Sequence, residues 1–305
     1  MLPSVSVFMA RGARVPVWLG VALVLACWAA PGLAESLRVA PEWLKAHLDQ
    51  PGLVIIDARP PKDYAQGHIP GAVNFPERAT YSDRQRNGRI TEPRVMQEQL
   101  RDLGITRDAP TIVYDDGKLL EAARVFWALE VYGLKDLQLL DQGFAGWQAS
   151  GYPLSTAEAR PARSQYIAEL DPRRIATRFT TQLAISNPAQ LIVDARTSEA
   201  YEGQVSKAQR YGHIPSAINV PVHEHLATAP DGSALRDLDA LAALYAKVPK
   251  DSALVLYCDI GRVSSVNYIA LRELGYQVVN YDGSWLEWGN DPSLPIIGPD
   301  GQPDP

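Results

Sequence analysis

The sequence predicts an α/β protein built from two domains of one fold, each a mainly parallel sheet covered by helices on both faces. Three observations carry this reading. The chain repeats itself at long range, its short β-branched runs alternate with helical periods, and 305 residues suit two domains of ordinary size.

Residues 53–76 read LVIIDARPPKDYAQGHIPGAVNFP, and residues 191–221 read LIVDARTSEAYEGQVSKAQRYGHIPSAINVP. Each copy opens with a strand-like run ending in Asp-Ala-Arg (Asp57 to Arg59, Asp194 to Arg196). Each passes an aromatic, Tyr64 or Tyr201, and reaches Gly-His-Ile-Pro at His68 or His213. The two aspartates are 137 positions apart (194 − 57) and the two histidines 145 (213 − 68), so the second copy carries eight extra residues before its glycine. Further on, 111–114 and 254–257 have the composition of buried strands. Helical periods follow at 122–132 and 266–274, stopped by Gly133 and Gly275. Short strands at 137–140 and 277–281 come next, then Trp147 in one copy and Trp285 and Trp288 in the other.

These spacings place a first domain at 35–154, a linker at 155–164, a second domain at 165–298 and a flexible tail at 299–305. Residues 1–34 read as a cleavable signal peptide: Arg11 and Arg14, an apolar run over 17–26, then Gly32-Leu33-Ala34 with small residues at −3 and −1. The run is short for a membrane span. Cys27, followed by Trp28, makes a poor lipidation site. A periplasmic or secreted protein without stable membrane insertion is therefore expected. Cleavage leaves Cys258 as the single cysteine, so no internal disulfide forms. A net charge of −6 excludes a broad basic footprint for nucleic acid.

At Tyr64-Ala-Gln-Gly-His68-Ile-Pro-Gly-Ala72 and Tyr281-Asp-Gly-Ser-Trp285-Leu-Glu-Trp288 the chain resembles the tandem-domain rhodanese family, which includes thiosulfate and 3-mercaptopyruvate sulfurtransferases. The resemblance runs over residues 37 to 297. It implies two rhodanese-like domains, the first inactive, and a persulfide-forming cysteine in the second. It also implies transfer of a sulfane sulfur from a small anionic donor to a thiophilic acceptor such as cyanide or a thiol, with no cofactor or metal. Arg196 matches a position that binds the donor's anionic group, and Ser264 matches a hydroxylated position near the sulfur.

The residues around Cys258 give this a physical basis. Cys258-Asp259-Ile260-Gly261-Arg262-Val263-Ser264 joins a strand to a helix, where backbone N–H groups favour an anion and a thiolate. Gly261 lets the loop curl, and Arg262 adds a permanent positive charge. Asp115-Asp116-Gly117 stands at the matching place in the first half, and a carboxylate forms no persulfide.

Turn chemistry explains His68 and His213, packing explains the tryptophans, and His223 with His225 lacks the further ligands of a metal site. A cysteine phosphatase needs arginine six positions after the cysteine, where this chain has Ser264. A 3-mercaptopyruvate enzyme and a persulfide carrier serving a protein acceptor stay open beside thiosulfate, which Arg262 favours.

Overall fold

Burial on both faces explains why the strand sequences are continuous apolar runs. The computed structural model describes residues 36–85, 87–229 and 232–304. In the first half, β1 (Arg38–Val39), α1 (Pro41–His47), β2 (Val54–Asp57), α2 (Pro61–Gln66), β3 (Val73–Asn74), α3 (Pro93–Asp102), β4 (Thr111–Tyr114), α4 (Leu120–Val131), β5 (Leu137–Leu140) and α5 (Gly143–Ala149) follow one another. The five strands form one parallel sheet in the order β1-β5-β4-β2-β3.

The second half repeats that plan with β6 (Ile175–Ala176), α6 (Arg178–Ala184), β7 (Gln190–Asp194), α7 (Ser198–Tyr201) and β8 (Ile218–Asn219). A hairpin of β9 (Leu226–Ala229) and β10 (Gly232–Leu235) intervenes. Then come α8 (Leu238–Leu244), β11 (Ala253–Tyr257), α9 (Ser264–Glu273), β12 (Gln277–Tyr281) and α10 (Ser284–Trp288). Its parallel sheet runs β6-β12-β11-β7-β8, the same order shifted by one domain. In each sheet the central strand, β4 or β11, has neighbours reached by crossovers in opposite directions. Its C-terminal end is therefore a switch point, where open parallel sheets bind ligands.

The helices after the two central strands make the domain junction. α4 buries ten of its twelve residues and α9 nine of its ten. A helix covered all round needs apolar residues all round, and LEAARVFWALEV supplies them. Phe126 and Trp127 on α4 share one apolar core with Tyr268 and Leu271 on α9. Charged groups fix the pairing. Glu130 accepts from Arg272 Nη1 at 2.6 Å and from the Tyr268 hydroxyl at 2.6 Å, and Arg38 meets Glu273 at 2.8 Å. On the opposite faces of the sheets, Tyr114 and Trp147 close one half, and Tyr257, Trp285 and Trp288 the other.

His68 and His213 hold turns in the same way. Each ring stacks on the tyrosine before it, centroids 3.8 Å apart, and its Nδ1 bonds that tyrosine's carbonyl at 2.8 Å.

One expectation needs correction. Residues 299–304 do not trail as a free tail. Gly298 donates to the Gln302 carbonyl at 2.9 Å, and Pro303–Asp304 returns antiparallel to Ile296–Ile297. The linker at 155–164 has no regular element, yet it is strapped to the first domain. Ser155 bridges His68, and the Ser164 hydroxyl donates to the Ile105 carbonyl at 2.6 Å. The leader expected at 1–34, with Cys27, lies outside the described residues. Among the described residues no helix is long and apolar enough to cross a membrane.

Candidate active site

Cys258 follows β11 directly and is 1% exposed. Its carbonyl accepts from Trp285 N–H at 2.9 Å, and the Asp259 carbonyl accepts from Leu286 N–H at 2.9 Å. The tryptophan-bearing segment thus anchors the start of the loop to α10. Gly261 turns the loop with φ +72°, a left-handed conformation that favours glycine. The Gly261 carbonyl accepts from Ser265 Oγ at 2.7 Å, Asn280 Nδ2 at 3.3 Å and Arg124 Nη1 at 3.5 Å. Ser264 Oγ lies 3.5 Å from Cys258 Sγ and 2.8 Å from Asn280 Oδ1. Its single proton serves either the amide oxygen or the sulfur.

Among the described residues, the N–H groups of Asp259, Ile260, Gly261, Arg262 and Val263 donate to no protein acceptor. The matching loop of the first half shows what such groups do when an anion is present. Asp115 Oδ1 accepts from the N–H groups of Gly117 (2.9 Å), Lys118 (3.1 Å) and Leu119 (3.1 Å), and Oδ2 accepts from Glu121 (3.1 Å) and Ala122 (3.2 Å). Burial and the nearby Glu121 nevertheless push the Asp115 carboxyl up to about 6. The acidic cluster of Asp115, Asp116 and Glu121 is therefore a loop already bonded to its own backbone.

The first domain roofs the catalytic loop. Gly88 sits so close to Ile260 that a Cβ on it would lie 2.5 Å from the Ile260 Cα. Arg124 is fully buried on Tyr81 and Trp127, 4.2 and 4.5 Å from their rings, and also donates to the Gly88 carbonyl at 3.2 Å. Nearby, Asp282 accepts from Ile90 N–H at 2.7 Å, and burial pushes its carboxyl up to about 6. The sequence does not show the contacts of Gly88 with Ile260 and of Ile90 with Asp282, because they join positions more than a hundred residues apart.

The cations expected to receive an anionic donor are otherwise engaged. Arg196 is held in an ion pair close by in sequence. Its guanidinium makes a bidentate pair with Asp194 (2.6 to 3.0 Å), and Nη2 also bonds the Gly212 carbonyl at 2.8 Å. Arg59 does the same with Asp57 and the Gly67 carbonyl in the half without a cysteine, so this pair holds the turn. Burial opposes the Arg196 charge and Asp194 overcomes it, leaving the arginine's pKa raised.

Arg262 does not stand free either. It is ion-paired to Glu121 and lies 3.6 Å from Glu77, both in the first domain. Asp259 is paired with Lys207, at 2.8 Å, from the eight-residue insertion. That insertion, with Ala195, Arg196, Asp259 and Val263, lines a cavity of about 360 Å³ beside the loop. His225 is buried between the Pro221 carbonyl and the Tyr245 hydroxyl, and burial lowers its pKa to about 4.

A rhodanese-like domain model matches residues 40–150 and again 180–291. The 3-mercaptopyruvate sulfurtransferase of Escherichia coli K12 is 32% identical over 282 residues, covering 87% of this chain and 99% of the relative. The thiosulfate sulfurtransferase of Azotobacter vinelandii is 32% identical over 264 residues, covering 85% and 96%. The crystal structure of SseA from Escherichia coli superposes with a TM-score of 0.74 at 30% identity, covering 82% of this chain and 99% of that one. Two copies of one domain and relatives matched along nearly their whole length place this chain in the rhodanese family, as a sulfurtransferase.

Proposed function

We propose that Cys258 carries the transferred sulfur as a persulfide, and that the open N–H groups of its loop hold the negative charge. The observation that carries this reading is the pair of loops. In the first half a carboxylate oxygen, two bonds from Cβ, takes three N–H groups from residues 117–119. The outer sulfur of a cysteine persulfide is also two bonds from Cβ, and among the described residues the corresponding N–H groups of 260–262 donate to no protein acceptor.

In the first step the Cys258 thiolate attacks the outer sulfur of the donor. With thiosulfate the S–S bond breaks and sulfite leaves with the electron pair. With 3-mercaptopyruvate the C–S bond breaks and the carbon takes the proton, giving pyruvate. In the second step cyanide or a thiol attacks the outer sulfur, and the Cys258 thiolate departs. Ser264 Oγ is placed to donate to the sulfur, Gly261 shapes the loop, and Arg262 faces the donor's charge. Thiosulfate and 3-mercaptopyruvate both fit this chemistry, and delivery to a protein thiol uses the same persulfide. Export to the periplasm or beyond is part of the proposal, on the leader-like residues 11–34.

The test is mass spectrometry after donor treatment, with turnover measured alongside. A gain of ~32 Da on Cys258, absent in Cys258→Ser together with all transfer, is the expected result. Transfer persisting in a folded Cys258→Ser protein overturns the assignment.

A further inference from the structure

Arg262 stands four residues after Cys258 in the same loop, yet two carboxylates from the other domain hold its guanidinium. Glu121 pairs with one end of the guanidinium, and Glu77 lies 3.6 Å from Nε. Glu77 is buried and is itself fixed by the Tyr81 hydroxyl at 2.7 Å. Burial opposes the Arg262 charge, and the two glutamates keep its pKa raised.

The other charges beside the loop do not restore a positive surplus. Lys207 is cancelled by Asp259 and Arg196 by Asp194, while Arg124 lies buried with Asp282 nearby. Arg84 lies 3.8 Å from Glu77 but is half exposed and largely screened. The Arg262 cluster is also incompletely satisfied. Arg262 Nε and Glu121 Oε2 are both out of solvent without a hydrogen-bond partner. Arg196 is paired with Asp194 close by in sequence, although its Nη1 too is out of solvent without a hydrogen-bond partner.

We propose that Glu77 and Glu121 of the first domain determine donor specificity. By holding Arg262 and outnumbering it, they set the site against dianionic donors and in favour of monoanionic ones. This rests on the sulfurtransferase reading above and names the donor class it takes. It also gives the domain without a nucleophile a part in choosing the substrate. Each unit of negative charge removed helps a dianion about twice as much, in free energy, as a monoanion.

The experiment measures kcat/KM for thiosulfate, a dianion, and for 3-mercaptopyruvate, a monoanion, at low and high salt. The proteins are wild type, Glu77→Gln, Glu121→Gln and each of these combined with Arg262→Gln. The wild type is expected to favour 3-mercaptopyruvate. Each single glutamine variant should raise thiosulfate use about threefold to tenfold, and 3-mercaptopyruvate use by about the square root of that factor. High salt should shrink the difference. The gain should shrink in the Arg262→Gln background, where only the direct repulsion between glutamate and donor is left to remove, and the acceptor half-reaction with a neutral thiol should not change. A structural role for the glutamates would move both donors equally and show no salt dependence.

An unchanged thiosulfate to 3-mercaptopyruvate ratio in both variants, with the Cys258 persulfide still forming, overturns the inference and leaves the sulfurtransferase reading intact. A wild type that neither donor charges overturns the donor reading, and the inference falls with it.

Discussion

The loops after β4 and β11 share a strand, a turn and a buried helix, and they differ in what fills them. In the first half, five backbone N–H groups converge on the Asp115 carboxylate. In the second, the residue is Cys258. Of the matching N–H groups, those of Ile260, Gly261 and Arg262 donate to no protein acceptor among the described residues, while Ser265 N–H donates to the Arg262 carbonyl at 3.2 Å. The fold provides an anion cradle twice. One copy is filled from its own chain, and the other, on the proposal above, receives a charge that comes and goes. If the first half is inactive, as proposed, it is so as an occupied site rather than a ruined one.

Exchanging the residues is the strongest way to break this comparison. Cys258→Asp should be folded and inactive, with a carboxylate seated in the second cradle. Asp115→Cys in a Cys258→Ser background should transfer no sulfur. Leu119 stands in the first loop where Arg262 stands in the second, and Glu121 replaces Ser264, so a thiol there lacks both the cation and the hydroxyl. Sulfur transfer near the wild-type rate by that double variant would falsify the comparison.

A smaller effect is expected at the roof. Gly88→Ala places a methyl group 2.5 Å from the Ile260 Cα, so the loop or the roof must shift. A displacement of that size should lower kcat/KM by about tenfold to a hundredfold, while the melting temperature changes little. Wild-type kinetics from Gly88→Ala would show that the first domain does not register the catalytic loop.

The smallest effect separates the halves by pH. His225 occupies the place that Thr80 occupies in the first half, each ending a short 3-10 turn. Its pKa is lowered from 6.5 to about 4. The associated stability, about 3 kcal/mol, is present above 6.5 and is lost as pH falls through about 4. Asp115 acts in the opposite direction. Its carboxyl is raised from 3.8 to about 6, so its contribution is present below 3.8 and lost as pH rises through about 6. Melting temperatures between pH 4 and 6.5 should flatten on the acid side for His225→Thr. They should lose the opposing slope for Asp115→Asn. Identical pH profiles for wild type and His225→Thr would remove His225 from this account.

Much of the architecture was legible because it rests on local pattern. The runs at 111–114 and 254–257 are strands, and the two buried helices lie within two residues of their expected bounds. Cys258, Gly261 and Ser264 could be found because strand, loop and helix are contiguous. The pairing of Arg196 was less legible, because its partner Asp194 is two residues away and sequence does not show which way a guanidinium folds back. Arg262 was read as free because Glu77 and Glu121 come from the other domain. The flexible-tail expectation failed for a related reason: a two-residue strand such as Pro303–Asp304 has too little sequence for any period to show.

The placement of Gly88 over Ile260 also bears on time. A sulfur atom parked on a residue 1% exposed is sheltered from bulk water, from stray reductants and from bulky thiols. On the proposal that Cys258 holds the sulfur, the half without a cysteine would govern how long the charged enzyme lasts between its two encounters, and how slender the second visitor must be. A protein acceptor would then have to offer its nucleophile at the tip of a narrow extended segment, or prise the two halves apart.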